Sequence, residues 1–244
     1  MDRLIYTALT GLQRAQESQG VTAHNLANLS TPGFRREMAA LSAGYMTVAG
    51  AAGSARVQSG GESPHDLLRA GRVEATGNAL DVAMNGRAWL AVSDASGGDA
   101  LTRRGDLRLD SDGGLRTGDG RAVLGTDGPI QVAVGHHALR IARDGAVLTR
   151  ATAEAPFVEV GRLRLVTPDP ASLERGADGL FRAPDMAADP DSTVTSGALE
   201  RSNVEPTAAL VELIQQSRSF EMQTRLLSTA REMDQGTAAL MRIE

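Results

Sequence analysis

Leu4, Ile5, Ala8, Leu12, Ala15, Thr22, Leu26 and Leu29 recur every three or four residues along the first part of the chain. That spacing gathers them on one stripe and predicts a helix from about Leu4 to Leu29. Ser30-Thr31-Pro32-Gly33 then ends it. Pro32 lacks the amide that would continue the ladder and biases Thr31 away from helical angles, while Gly33 tolerates a positive φ. Asn25 and Asn28 lie one turn apart and are poorer helix formers than Ala, so propensity does not account for them. Either they bond across a packed seam or Asn28 helps to end the helix, and both readings stand. From Glu37 to about Arg72 the chain is rich in Ala, Gly and Ser with few apolar anchors, which reads as a connector; Asp66, Leu67 and Leu68 fit a local helical turn within it.

Beyond Gly71 the period shortens. Leu80, Val82 and Met84 are followed by Asn85-Gly86 and then by the apolar run Trp89 to Val92, a hairpin signal. Asp-Gly recurs at 112–113, 119–120, 127–128 and 144–145 between short apolar runs, the cadence of a β-meander or small sandwich. Phe157 to Val166 alternates apolar and polar residues and reads as a late strand, ended by Pro168 and Pro170. The second helix is expected over Asn203 to Arg242, with Asn203 as a cap and Pro206 in the first turn. Leu213, Phe220 and Leu227 make one seven-residue series on it, and Met222, Leu226, Met233 and Leu240 make another. Two seams imply more than one neighbour for an arm of about 60 Å. A hairpin of this helix with the first, closing a monomer, is the plainer alternative.

Composition narrows the chemistry. The 244 residues are enough for one or two domains, and at 3% aromatic content the core must be filled by Val, Leu, Ile and Ala. There is no Cys, and all 25 basic residues are Arg, which removes thiolate, Schiff-base and Walker-type lysine chemistry. A net charge of −5 gives no basic footprint for nucleic acid, and Arg35-Arg36 and Arg103-Arg104 read as solvated or structural pairs. No long apolar run marks the first residues as a secretory signal or a membrane span. Asp81 lacks a second acid or a His at a useful spacing and reads as a turn or strand-end residue. Asp110-x-Asp112-Gly113 lacks the further ligands of a calcium loop, and His136 and His137 are adjacent, so on a strand they would point apart. The glycines around 118–125 precede no helix, and no Ser carries a nucleophile elbow. No catalytic residue, cofactor or metal is expected.

The block Ala23-His24-Asn25-Leu26-Ala27-Asn28, followed by Thr31-Pro32-Gly33-Phe34-Arg35-Arg36, resembles the N-terminal motif of the bacterial flagellar rod and hook axial proteins, with His24 where the family has Asn. Thr76-Gly77-Asn78, Leu80-Asp81, Ala83 and Gly86 resemble its middle block. Gly197, Leu199-Glu200, Ser202-Asn203-Val204, Arg218 and Phe220-Glu221 resemble its C-terminal block. The opening Met1 to Ala8 and the Thr-Pro-Gly-Phe-Arg variant look most like the proximal-rod branch, the distal-rod branch being the nearest alternative.

With that resemblance the expected fold class is α+β: long N- and C-terminal helices paired as a coiled-coil-like stalk, with a mainly antiparallel β-domain inserted between them. The expected divisions are an N-terminal arm at 1–36, an extended connector at 37–72, a β-domain at 73–196 and a C-terminal arm at 197–244. The resemblance implies a non-enzymatic subunit of the basal-body rod that transmits torque from motor to hook. Its partners would be other proximal and distal rod subunits, in a homo- and hetero-oligomeric helical assembly, and the flagellar type III export apparatus. It would act in the periplasm, exported without a cleaved signal, with no nucleic-acid binding and no membrane insertion. The expected assembly residues are Leu4, Ala8, Leu12, Ala15, Asn25, Leu26 and Asn28 on the first helix and Leu213, Phe220, Met222 and Leu227 on the second. Arms of this kind gain most of their order from packing, so folding coupled to assembly is expected. A distal-rod or hook-type subunit, a periplasmic glycan-binding module and a hydrolase are the rival readings. A single Trp and two Tyr give a glycan little stacking surface, and no carboxylate pair serves a hydrolase.

Overall fold

The computed structural model describes residues 2–38, 69–133 and 135–240, with no account of the side chains of 2–8, 230, 231 and 234–240. The connector expected at 37–72 and the helical turn expected at 66–68 therefore fall almost wholly outside the described residues. Two compact units form. Residues 2–28, 36–38 and 204–240 belong to one, and 29–35 with 69–203 to the other.

The first unit is a helix pair. α1 runs Asp2–Ala27 and α2 runs Pro206–Leu240. α1 stops where expected, two residues before Leu29, with Asn28 donating from Nδ2 to the His24 carbonyl at 2.9 Å. α2 starts at Pro206, whose missing amide belongs to the first turn, where no intrahelical partner is needed. The pair is antiparallel, since Gln216 reaches Ser18 and Thr22 while Gln223 lies beside Gly11.

The expected coiled-coil-like stalk is not what forms. The helices span 26 and 35 residues, about 40 and 50 Å, short of the arm foreseen. The apolar residues of α2 are spread around the helix rather than gathered in seams. Met222, Leu226 and Met233, the proposed second seam, are 60%, 65% and 56% exposed. A coiled coil needs that series in the holes of a partner helix. Gln216 instead donates to Ser18 Oγ and Thr22 Oγ1, both at 2.9 Å, where a knob would sit.

The second unit is built of short antiparallel strands. Its largest sheet has five, in the spatial order Leu165–Val166, Trp89–Ser93, Asp99–Thr102, Phe181–Arg182, Glu174–Arg175. Ala138–Ile141, Ala146–Arg150 and Val158–Arg162 form a three-stranded sheet with Ala146–Arg150 in the middle. Val82–Met84 pairs with Val194–Ser196, and Val73–Ala75 with Ala198–Glu200. Strand Trp89–Ser93 is buried on both faces: Leu90 and Val92 enter one apolar cluster with Val82, Leu115 and Val147, while Trp89 and Ala91 enter another with Leu101 and Phe181. The Trp89 and Phe181 rings are 4.7 Å apart, centroid to centroid.

That double burial corrects the hairpin expected at Asn85-Gly86. The turn exists, with Gly86 at φ +58° and the Ala88 amide donating to the Asn85 carbonyl at 3.2 Å. The strands on either side join different partners, because Trp89–Ser93 needs a neighbour along both edges and finds them in Asp99–Thr102 and Leu165–Val166. The Asp-Gly turns form. Gly113, Gly128 and Gly145 all have positive φ and join paired strands, and Gly120 donates to the Thr117 carbonyl. The run Phe157 to Val166 is split between two sheets, at Val158–Arg162 and Leu165–Val166.

Candidate assembly interface and its anchoring cluster

On α1, Leu12, Ala15, Leu26 and Asn28 are half-buried and Asn25 is buried. On α2, Leu213, Phe220 and Leu227 are half-buried and Met222 is exposed. Leu4 and Ala8 lie within α1, their side chains outside the described residues. Asn25 has a definite task. Its Nδ2 donates to the Glu37 carbonyl at 2.7 Å and its Oδ1 accepts from the Glu37 amide at 2.8 Å, so the carboxamide pairs with that backbone as a strand would. His24 Nδ1 lies 3.0 Å from Glu37 Oε2, and Arg36 donates to Glu212 Oε2 at 3.0 Å. The residues after the turn are thereby tied to both helices of their own unit.

The turn itself is part of the β-rich unit. Gly33 has φ +66°, its amide donates to the Glu200 carbonyl at 2.7 Å, and a Cβ there would stand 2.2 Å from the Arg103 carbonyl. Only glycine combines that angle with that approach. Arg35 then enters the interior and donates from Nη1 to Glu200 Oε1. The same oxygen accepts the Gly71 amide at 2.8 Å. Glu200 Oε2 accepts from Arg103 Nε at 2.9 Å and Nη2 at 2.5 Å. Arg103 also donates to the carbonyls of Met84, at 3.1 Å, Gly86 and Ala88. Both guanidinium carbons lie over the Trp89 ring, at 5.8 and 5.9 Å from its centroid. Burial holds Arg103 below the usual arginine range, opposed by the Glu200 charge and reinforced by Arg35. One carboxylate thus joins three distant segments, around Arg35, Gly71 and Arg103.

The rest of the charged motif is also structural. Asp81 accepts from Thr76 Oγ1 at 2.6 Å and Asn78 Nδ2 at 3.0 Å, a turn role. Among the described residues no group of three or more His, Asp or Glu is placed to hold a metal ion, and no helix is long and apolar enough to cross a membrane. Arg35, Arg103 and Glu200 were not singled out as a cluster from the sequence. The available signal was the two-residue period: Glu200 shares a face with buried Ala198 in strand Ala198–Glu200, a carboxylate pointing inward.

A helix pair with exposed apolar residues, and a β unit whose motif side chains are spent on holding chain segments together, define a structural protein that offers surfaces to neighbours. Three family models match: flagella basal body rod protein over residues 5–35, flagellar hook protein FlgE/F/G D1 domain over 83–149, and flagellar basal body rod FlgEFG protein C-terminal over 195–240. The flagellar basal-body rod protein FlgF of Escherichia coli is 38% identical over 240 residues, 94% of each chain. FlgF of Salmonella typhimurium is 37% identical, over 95% of each. The flagellar basal-body rod protein FlgG of Bacillus subtilis is 28% identical, over 99% of this chain and 100% of its own. The chain belongs to the flagellar basal-body rod proteins, structural components of the rod, and within them it is most like FlgF.

Proposed function

We propose that this rod protein is a subunit of the proximal rod that polymerises through its terminal helices and so carries torque from motor to hook. Its partners are the other proximal and distal rod subunits, and it reaches the periplasmic rod through the flagellar type III export apparatus. It serves as a structural subunit and not an enzyme: the buried charged groups of the family motifs, Arg35, Arg103 and Glu200, are committed to one another. The observation that carries the reading is the 38% identity to a FlgF sequence along 94% of the chain. The apolar residues left exposed on α2, Leu210, Val211, Ile214 and Met222, support it further, since they gain from burial against a neighbour. Leu12, Ala15, Asn25, Leu26, Asn28, Leu213, Phe220, Met222 and Leu227, with Leu4 and Ala8, remain the proposed assembly residues.

Electron microscopy of basal bodies from cells lacking the protein tests the reading, with swimming scored alongside. Rods cut short before the hook and lost motility are expected, and intact rods with normal swimming would overturn it. In the same cells Leu213→Asp should fail to restore rods while the β-rich unit still folds. Normal rods from that variant would sink the helix-face assignment.

A further inference from the structure

Oxidation of this chain falls first to its thioethers, because there is no Cys to take up an oxidant ahead of them. Five methionine side chains are described, and their surroundings differ widely. Met84 is 2% exposed in the core of the β-rich unit, and Met38 and Met186 are half-buried. Met222 and Met233 are 60% and 56% exposed. Those two lie on α2, eleven residues or about three turns apart, so they share a face. Leu226 stands between them on the same face, 65% exposed.

Hydrogen peroxide gives a thioether one oxygen atom. The S–O bond forms as the O–O bond breaks, sulfur gives up two electrons, and the second peroxide oxygen leaves as water with both peroxide hydrogens. A flexible apolar side chain becomes a polar, chiral sulfoxide. In the free chain that change costs little at Met222 and Met233, because both side chains already meet water. Against a neighbouring subunit the sulfoxide oxygen must give up its water, and a surface shaped for Met and Leu offers it no donor.

We propose that Met222 and Met233 form a peroxide-sensitive modification site that decides whether α2 can be buried in a rod. The thioether form assembles and the sulfoxide form stays out. A methionine sulfoxide reductase, drawing two electrons from thiols, restores the thioether and releases the oxygen as water. The site is open before incorporation and closes once the face is covered. It rests on the rod-subunit reading and adds to it a chemical condition on assembly.

Peptide mass spectrometry of the purified full chain treated with hydrogen peroxide tests the chemistry. Met222 and Met233 should gain one oxygen on the order of tenfold or more faster than Met84, and unfolding in urea should erase the difference. Equal rates at the three residues of the folded chain would overturn the proposal. Cells lacking the protein, with rods counted by electron microscopy, test the consequence. Met222→Gln with Met233→Gln, polar and about as long as Met, should lose most rods. Circular dichroism of the purified variant reports its helices, and if they are lost, Met233→Gln alone takes its place with the same expected loss. Met222→Leu with Met233→Leu keeps the face apolar without sulfur. Peroxide present during growth should lower the rod count of the wild type, and the ratio of counts with and without peroxide should stay near one for the leucine variant. Normal rods from the glutamine variant, or the same ratio in the leucine variant and the wild type, would overturn this site alone. Rods that persist without the protein would overturn the rod reading itself.

Discussion

Glu200→Gln is the sharpest test of the interior cluster. The change keeps shape and volume but removes the one carboxylate that, among the described residues, pairs with Arg35 and Arg103, whose side chains are 2% and 3% exposed. It also places an amide NH2 where guanidinium donors now point. Burial already disfavours the charged form of Arg103, and Glu200 is what opposes it, so the loss leaves desolvation and Arg35 repulsion unanswered. Breaking a buried pair from one side costs about 3–5 kcal/mol. For a unit of this size that lowers Tm by roughly 10–15 °C. Trp89 is the only Trp and lies under both guanidinium groups, so its fluorescence reads this region and not the helices. Urea and thermal melts at Trp89 should show the loss, and Arg103→Met combined with Glu200→Gln should lose less than the two single changes together. Glu74→Gln is the control: its partner Arg201 is half exposed, and no shift in Tm is expected. A Glu200→Gln shift below about 1 kcal/mol, the size of a surface pair, would refute the account.

Asn25→Ala removes both hydrogen bonds to the Glu37 backbone and should cost about 1–3 kcal/mol locally, read as faster hydrogen exchange of the Glu37 amide with Trp89 melting unchanged. Gly33→Ala forces a Cβ against the Arg103 carbonyl at φ +66° and should destabilise the β-rich unit by more than about 1 kcal/mol, which the urea midpoint measures. Acid should weaken the same unit. Asp94 is held well below the usual carboxylate range by hydrogen bonds from Ser96 and Arg182 and from the Gly98 amide, and Asp110, Asp144, Asp178 and Asp189 are lowered too. Their folded pKa values lie below the unfolded ones, so the stability they contribute is complete above pH about 4 and is lost as pH falls through the folded values. The urea midpoint should therefore decline from pH about 4 downward, and Asp94→Asn should flatten that decline; an unchanged slope would count against the assignment.

Local rules carried the reading furthest where the physics is local. The end of α1 ahead of Pro32-Gly33 and the turns at each Asp-Gly follow from backbone sterics that involve a few residues. Strand pairing is a long-range matter, and the Asn85-Gly86 turn misled because its chemistry is indifferent to which strands it joins. The coiled-coil-like stalk failed for a different reason. Seven-residue series such as Met222, Leu226 and Met233 record that residues share a face but not what covers it, and within this chain nothing described does. The sequence leaves Arg35 and Arg103 between a solvated and a structural role, because Glu200, their neutralising partner among the described residues, lies 165 and 97 positions away.

That separation has a consequence for how the chain folds. Ala23 to Arg36 and Gly197 to Glu221 resemble the rod family most specifically, and their parts within the β-rich unit, Thr31 to Arg35 and Gly197 to Asn203, are the halves of one buried contact, neither complete without the other. Strand Val73–Ala75 has Ala198–Glu200 as its partner, and the Gly71 amide and both arginines find their acceptor on Glu200. Every sheet neighbour of Trp89–Ser93 lies before Gly197, so a chain ending there holds the whole five-stranded sheet but loses α2, the strand that pairs with Val73–Ala75 and the Glu200 acceptor; restoring residues 198–203 alone returns the strand and the acceptor without the helix. Two buried guanidinium ions without a counter-charge cost more than the sheet's remaining margin of roughly 5–15 kcal/mol readily spares. Such a truncated chain should give Trp89 emission near that of the urea-unfolded protein, and the native spectrum should return when residues 198–203 are restored. Native-like emission from the shorter chain would show that the sheet closes without Glu200, and that the cluster trims a fold which other contacts already determine.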